Sequence, residues 1–184
     1  VYGEIFKSCF KEDSKFNPSN PYSASKAAAE MIISGYSHSY KLPTIIVRAN
    51  NIFGTRQHPE KLIAGCCWSM IKKKRFYLHG RGLQKRSFLF VDDFCEGIIQ
   101  IIKKGKNNEV YNIGSNFEYR NIDIVKLIAK KMNVSFHKNV GYTNDRPFND
   151  YRYSIDFRKI INLGWKPAVK VEEQIENIIE WYKE

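Results

Sequence analysis

Tyr22 and Lys26 stand four residues apart in Pro21-Tyr22-Ser23-Ala24-Ser25-Lys26. On a helix this spacing puts both side chains on one face, one turn apart. A phenol with an ordinary pKa of about 10 is a poor base at neutral pH. A neighbouring ammonium favours the phenolate and lowers that value, so Tyr22 could accept a hydroxyl proton. The same spacing also arises in surface helices where a Tyr merely lies on a Lys stem, so the pair needs its surroundings to carry a reading.

The elements that must position the pair follow from periodicity and punctuation. Ser19 and Asn20 are cap candidates, Pro21 suits a first helical turn, and Ala24, Ala27, Ala28, Met31 and Ile32 recur at helical spacing, predicting a helix to about Tyr40. Leu42-Pro43 closes it, and the β-branched run Thr44–Arg48 reads as a buried strand followed by a loop through Gly54. Helical patterns recur over 60–74, from Asp92-Asp93 onward, over 123–132 and over 172–183. Strand-like runs fall at Phe88–Val91 and Val110–Gly114. Asp92 and Asp93 read as helix caps. The alternation predicts an α/β fold with a largely parallel sheet. No Gly-x-Gly-x-x-Gly follows any strand; Gly80-Arg81-Gly82 is a tight glycine pair without a third glycine.

Composition narrows the classes. The 184 residues carry 30 Lys+Arg against 19 Asp+Glu, a net charge of +11, with 43% hydrophobic residues. That apolar content is too high for disorder, and no apolar run approaches the roughly 18 residues of a membrane span. The basic clusters Lys72-Lys73-Lys74-Arg75, Lys103-Lys104 and Lys130-Lys131 fall at predicted helix ends, where cations meet unpaired carbonyls, so nucleic acid is not an expected partner. Cys9, Cys66, Cys67 and Cys95 lack metal-ligand spacing. They read as small buried hydrophobes in a reducing cytoplasm, with no metal expected. Val1-Tyr2-Gly3-Glu4 has no Met and no leader, and reads as the interior of a longer chain.

Longer motifs give the Tyr–Lys pair its context. Val1-Tyr2-Gly3-Glu4 followed by Asn20-Pro21-Tyr22-Ser23-Ala24-Ser25-Lys26-Ala27 resembles the catalytic segment of extended short-chain dehydrogenase/reductases acting on nucleotide sugars. Arg48-Ala49-Asn50-Asn51-Ile52-Phe53-Gly54 and Pro59-Glu60-Lys61-Leu62-Ile63 are similar to the nucleoside-diphosphate-glucose 4,6-dehydratases of that family. The likeness continues through Leu78–Leu89, Tyr111-Asn112-Ile113-Gly114, Asp145–Asp150 and Leu163-Gly164-Trp165-Lys166-Pro167, and so spans nearly the whole chain.

The resemblance implies the C-terminal part of a Rossmann-type parallel sheet in residues 1–58. A smaller α/β substrate-binding domain would fill 59–184, with returns to the first sheet. It implies NAD as cofactor and dTDP- or UDP-glucose as substrate. The reaction would be oxidation at C4, loss of water across C5 and C6, and hydride return to C6. By the same resemblance Tyr22 is the base at the C4 hydroxyl and Lys26 holds the nicotinamide ribose. Ala49 and Asn50 lie near the nicotinamide, and Asn51 near the sugar diphosphate. Arg86, Asn112 and Arg146 bind the diphosphate, with Lys61 and Leu62 close by and His79 against the base. A homodimer through the Tyr22–Lys26 helix is implied as well.

The family's glycine-rich unit and its Thr-Asp-Glu dehydration string would lie before Val1. Residues 1–184 by themselves are therefore expected neither to hold NAD tightly nor to turn over substrate. Another nucleotide-sugar epimerase or decarboxylase, or a non-catalytic nucleotide-sugar binder, are the alternative readings.

Overall fold

A computed structural model describes all residues from Val1 to Glu184. Helix α1 (Pro21–Tyr40) starts at a capping box: Asn20 Oδ1 accepts from the Ser23 amide at 2.9 Å, and the Asn20 amide donates back to Ser23 Oγ at 3.2 Å. It stops at Lys41, whose left-handed φ of 56° breaks the ladder ahead of Leu42-Pro43. Strand β1 (Ile45–Ala49) follows, then after Asn50 a three-residue strand β2 (Asn51–Phe53) where the sequence predicted a loop.

Beyond it come α2 (Leu62–Ile71), β3 (Phe76–His79), β4 (Lys85–Phe90), α3 (Val91–Lys104), β5 (Glu109–Ile113) and β6 (Glu118–Arg120). The chain continues through α4 (Asn121–Lys131), the short α5 (Phe136–Asn139), β7 (Val140–Thr143), the short α6 (Arg158–Ile161) and α7 (Val171–Lys183). β1 pairs parallel with β5, Val47 opposite Tyr111. β2 pairs parallel with β4, which also takes β6 antiparallel, and β3 pairs parallel with β7. The parallel α/β expectation holds. No helix is long and apolar enough to cross a membrane.

Two apolar clusters hold these layers. The larger joins α2, α4 and α7 to Phe53, Leu78, Phe88 and Val140. The smaller packs Leu89, Ile101, Tyr111, Ile113, Phe157, Ile160 and Trp165 against Ile45 and Val47. Each fully buried Ile or Leu contributes about 1.5–3 kcal/mol. The smaller cluster thus draws α3, β5, α6 and Trp165 back to β1. By contrast α1 buries only Ala27, leaving Met31, Ile32, Tyr36 and Tyr40 exposed.

Two local expectations need correction. Asp92 and Asp93 do stand as carboxylates in the first turn of α3, as expected, but neither is its cap: the N-cap is Phe90, with no side-chain cap bond. Asp93 is instead buried, and its Oδ2 accepts the amides of Ala168 and Val169 at 3.0 and 2.9 Å. Of the cysteines, Cys66 and Cys67 are buried but Cys9 and Cys95 are exposed. Cys95 shares the outer face of α3 with Ile99 and Ile102, a face that no other element covers.

Candidate active site

Parallel strands carry ligands at their C-terminal ends, and β1 ends in the predicted cluster. Ala49 is exposed. Asn50, 6% exposed, donates its amide to the Ile113 carbonyl at 3.1 Å and accepts from the Ser115 amide through Oδ1 at 3.3 Å. Its Nδ2 is buried with no partner. A buried donor without a partner costs about 1–3 kcal/mol, so this amide is suited to a ligand's acceptor.

Asn51 Oδ1 accepts the Tyr153 hydroxyl, and the Arg86 guanidinium lies over the Tyr153 ring, 4.7 Å from Cζ to centroid. Burial pushes the Tyr153 phenol up, Arg86 pulls it down, and Tyr22 is near enough to be among its electrostatic neighbours. Asn51, Arg86 and Tyr153 therefore share one locale, with Tyr22 within electrostatic range of Tyr153. Tyr22 is 74% exposed and Lys26 is exposed, both on the open face of α1.

Arg86 is nearly buried and turned inward. Nη1 donates to the carbonyls of Lys85 (2.7 Å) and Tyr151 (3.2 Å), and Nη2 to Asn149 Oδ1 (3.0 Å) and the Asp150 carbonyl (2.7 Å). Its donors thus shape the 149–151 segment, leaving Nε–H free of protein partners. Arg146 is exposed and leaves its guanidinium open, while its backbone amide donates to Asp145 Oδ1 at 2.8 Å. His79 is exposed, with Nδ1 3.4 Å from the Asn144 carbonyl.

Asn112 does not sit where a diphosphate could reach it. It is fully buried, its Oδ1 accepts the Tyr2 hydroxyl at 2.8 Å, and its Nδ2 donates to the carbonyls of Phe10 and Asp156 at 3.2 and 3.0 Å. Every polar atom of its side chain is satisfied, so it anchors the Val1–Phe16 segment instead. Lys61 is paired with Glu60 at 3.0 Å in solvent, and Leu62 packs against the larger core rather than facing outward.

Sequence reasoning missed Tyr153. The signal was an aromatic two residues after Tyr151, just beyond Asp145–Asp150, but nothing local says that its hydroxyl meets Asn51 about a hundred residues away.

A parallel α/β scaffold whose Tyr22–Lys26 helix is tied to β1 through the Glu30–Arg48 pair has the form of an extended dehydrogenase/reductase-type domain. The family model described as GDP-mannose 4,6 dehydratase matches residues 1–178, and the chain belongs to that family. It is 42% identical to the human dTDP-D-glucose 4,6-dehydratase, covering 100% of this chain and 54% of the relative. It is 40% identical to an Arabidopsis thaliana trifunctional UDP-glucose 4,6-dehydratase, UDP-4-keto-6-deoxy-D-glucose 3,5-epimerase and UDP-4-keto-L-rhamnose-reductase, covering 100% and 28%. The crystal structure of dTDP-glucose 4,6-dehydratase from Bacillus anthracis in complex with NAD superposes with a TM-score of 0.91 at 37% identity, covering 100% of this chain and 58% of that one. The chain spans about half the length of the dTDP-glucose relatives it matches.

Proposed function

We propose that this chain carries the Tyr22–Lys26 half of the catalytic site of a nucleoside-diphosphate-glucose 4,6-dehydratase, a lyase acting on dTDP- or UDP-glucose with NAD. The observation that carries the reading is the cluster of Asn51, Tyr153 and Arg86, with Tyr22 within electrostatic range of Tyr153, at the end of the strand whose Asn50 keeps a buried amide without a partner. NAD, when bound, supplies the hydride acceptor and donor. Asn50 and Ala49 would border the nicotinamide, and Lys26 would hold its ribose.

Tyr22 takes the proton of the sugar's C4 hydroxyl as that carbon is oxidised; C4 stays a ketone in the product, so this proton passes on to solvent, and the proton that C5 gains when hydride reaches C6 comes from an acid other than Tyr22. Lys26 stands one turn further along the same helix. Arg146, with its guanidinium open, offers the planar fork that suits phosphate oxygens. Arg86 adds positive charge below the same region while holding the 149–151 segment. His79 would face the base. The open apolar face of α1, with Met31, Ile32 and Tyr36 exposed, suits pairing with a second copy, and the four free cysteines suit a reducing cytoplasm.

The test is Tyr22→Phe in the full-length protein. Hydride transfer, followed as NADH formed in a single turnover, falls about 10²–10⁴-fold while nucleoside-diphosphate affinity is kept. Comparable NADH formation in the variant removes Tyr22 from the chemistry. Recovery of a C4 epimer instead of the 4-keto-6-deoxy sugar places the chain with the epimerases.

A further inference from the structure

The most heavily bonded charge in the molecule has no part in the chemistry above. Arg48, in β1, gives Nε to Glu30 Oε1 and Oε2 at 3.1 and 2.9 Å and Nη2 to Oε2 at 2.7 Å. Its Nη1 donates to the Tyr2 hydroxyl and to the Glu12 carbonyl, the latter at 2.9 Å. The rings of Tyr2 and Phe16 flank it, 4.7 and 4.8 Å from Cζ to centroid. The side chains of Arg48 and Glu30 are 10% and 14% exposed. Burial opposes the Arg48 charge, yet the bonds to Glu30 and Tyr2 more than offset it and hold the group fully protonated.

The pair matters because it links α1 directly to β1: Glu30 lies in α1, Arg48 in β1, and both side chains are largely buried. A two-pronged fork between Arg48 and Glu30 fixes both roll and axial position, since a planar guanidinium meets a carboxylate well in few orientations. Glu30 lies one turn beyond Lys26, which lies one turn beyond Tyr22. Arg48 lies two residues before Asn50. The fork therefore connects the element that carries the proton acceptor to the strand end that carries the unpartnered amide. Tyr2 extends the connection to β5, since its hydroxyl donates to Asn112.

We propose that Arg48 and Glu30 are positioning residues: their ion pair sets the rotation and register of α1 so that Tyr22 and Lys26 stand at the Asn50 end of β1. The inference rests on the dehydratase reading. Neither residue touches the reacting atoms, and each acts through the helix.

The test uses the full-length protein with Arg48→Lys, which keeps the charge but loses the fork, and Glu30→Gln, which keeps the shape but loses the charge. Folded fraction is measured by thermal unfolding, and turnover with dTDP-glucose and UDP-glucose, each with hydrogen or deuterium at C4. Misplacement by about an ångström costs about 10²-fold in rate, so kcat is expected to fall about 10–100-fold with KM changed by less than about threefold. The isotope effect on kcat is expected to grow as hydride transfer becomes limiting. A fall in kcat that only tracks lost folded protein, with the isotope effect unchanged, makes the pair merely structural and overturns the inference. Unchanged kcat in both variants overturns it alone, with the dehydratase reading intact. Absence of turnover in the unsubstituted protein overturns the dehydratase reading, and the inference with it.

Discussion

Gly114 faces the side-chain amide of Asn50 so closely that a Cβ at Gly114 would stand 2.1 Å from Asn50 Oδ1. Asn50 is buried and its backbone amide is bonded to Ile113, so its side chain can yield only by leaving its place at the end of β1. Gly114→Ala is expected to destabilise the fold by about 1–3 kcal/mol, as overpacking does. In the full-length protein it should weaken NAD binding as well. Thermal unfolding and calorimetric titration with NAD check both effects, and NAD affinity equal to that of the unsubstituted protein would separate Asn50 from the cofactor.

Asp93 joins α3 to the segment before α7. With its carboxylate removed, the amides of Ala168 and Val169 lose their shared acceptor in a part-buried setting. Asp93→Ala is expected to cost about 2–4 kcal/mol, because bonds to a charged acceptor are worth about 1.5–3 kcal/mol and the donors are left unpaired. Asp93→Asn keeps one acceptor oxygen and should cost less. Urea unfolding of the two variants gives the order, and equal stabilities would refute it.

Thiol reactivity should divide the cysteines into two classes. Burial pushes the Cys67 thiol up to about 12 and Cys66 well above its ordinary value, whereas Cys9 and Cys95 are exposed. Since the thiolate is the nucleophile, an aromatic disulfide reagent near pH 8 should label Cys9 and Cys95 quickly in the native protein. Cys66 and Cys67 should react only on unfolding. Rapid native labelling at Cys66 would contradict the burial.

Asp145 ties down the segment that carries Arg146. Its carboxylate accepts from Asn149 Nδ2 at 2.9 Å, from the Arg146 amide at 2.8 Å and from Gln84 Nε2 at 2.7 Å. The Asn149 bond leads the effects that hold its pKa below the ordinary carboxylate value; burial, the next largest, opposes it, and the Arg146 and Gln84 bonds lower it further. A depressed folded-state pKa stabilises above the unfolded value of about 3.9 and is lost as pH falls through the lower folded value. Protection of the amides in residues 144–150, relative to their intrinsic exchange at each pH, should therefore fall below about pH 4. Asp145→Asn should exchange faster already at neutral pH and lose most of that acid step. An acid step of unchanged size in the variant would assign it to another group.

Much of this protein was legible before any coordinates. The bounds of α1 came from Asn20, Pro21 and Leu42-Pro43, because caps and breakers act within a few residues of where they sit. The runs in β1 and β5 and the amphipathic α3, α4 and α7 are long enough for apolar periodicity to register. The Tyr22–Lys26 spacing needs only a helix to put both groups on one face.

What the tertiary structure decided depends on partners far apart in sequence. β2 and β6 have three residues each and β3 and β7 four, too few for a period, and they exist because β4 and each other supply their hydrogen bonds. Asn112 is an internal anchor rather than a phosphate ligand because Tyr2, 110 residues earlier, takes its side-chain oxygen. Asp93 serves amides 75 and 76 residues later rather than its own helix. Arg48 looks in sequence like any polar residue ending a β-branched run, and only folding brings Glu30, Tyr2 and Phe16 around it. Local propensity acts along the chain, whereas the value of a charge or an amide is set by whichever groups share its burial. Those groups become neighbours only when the layers close.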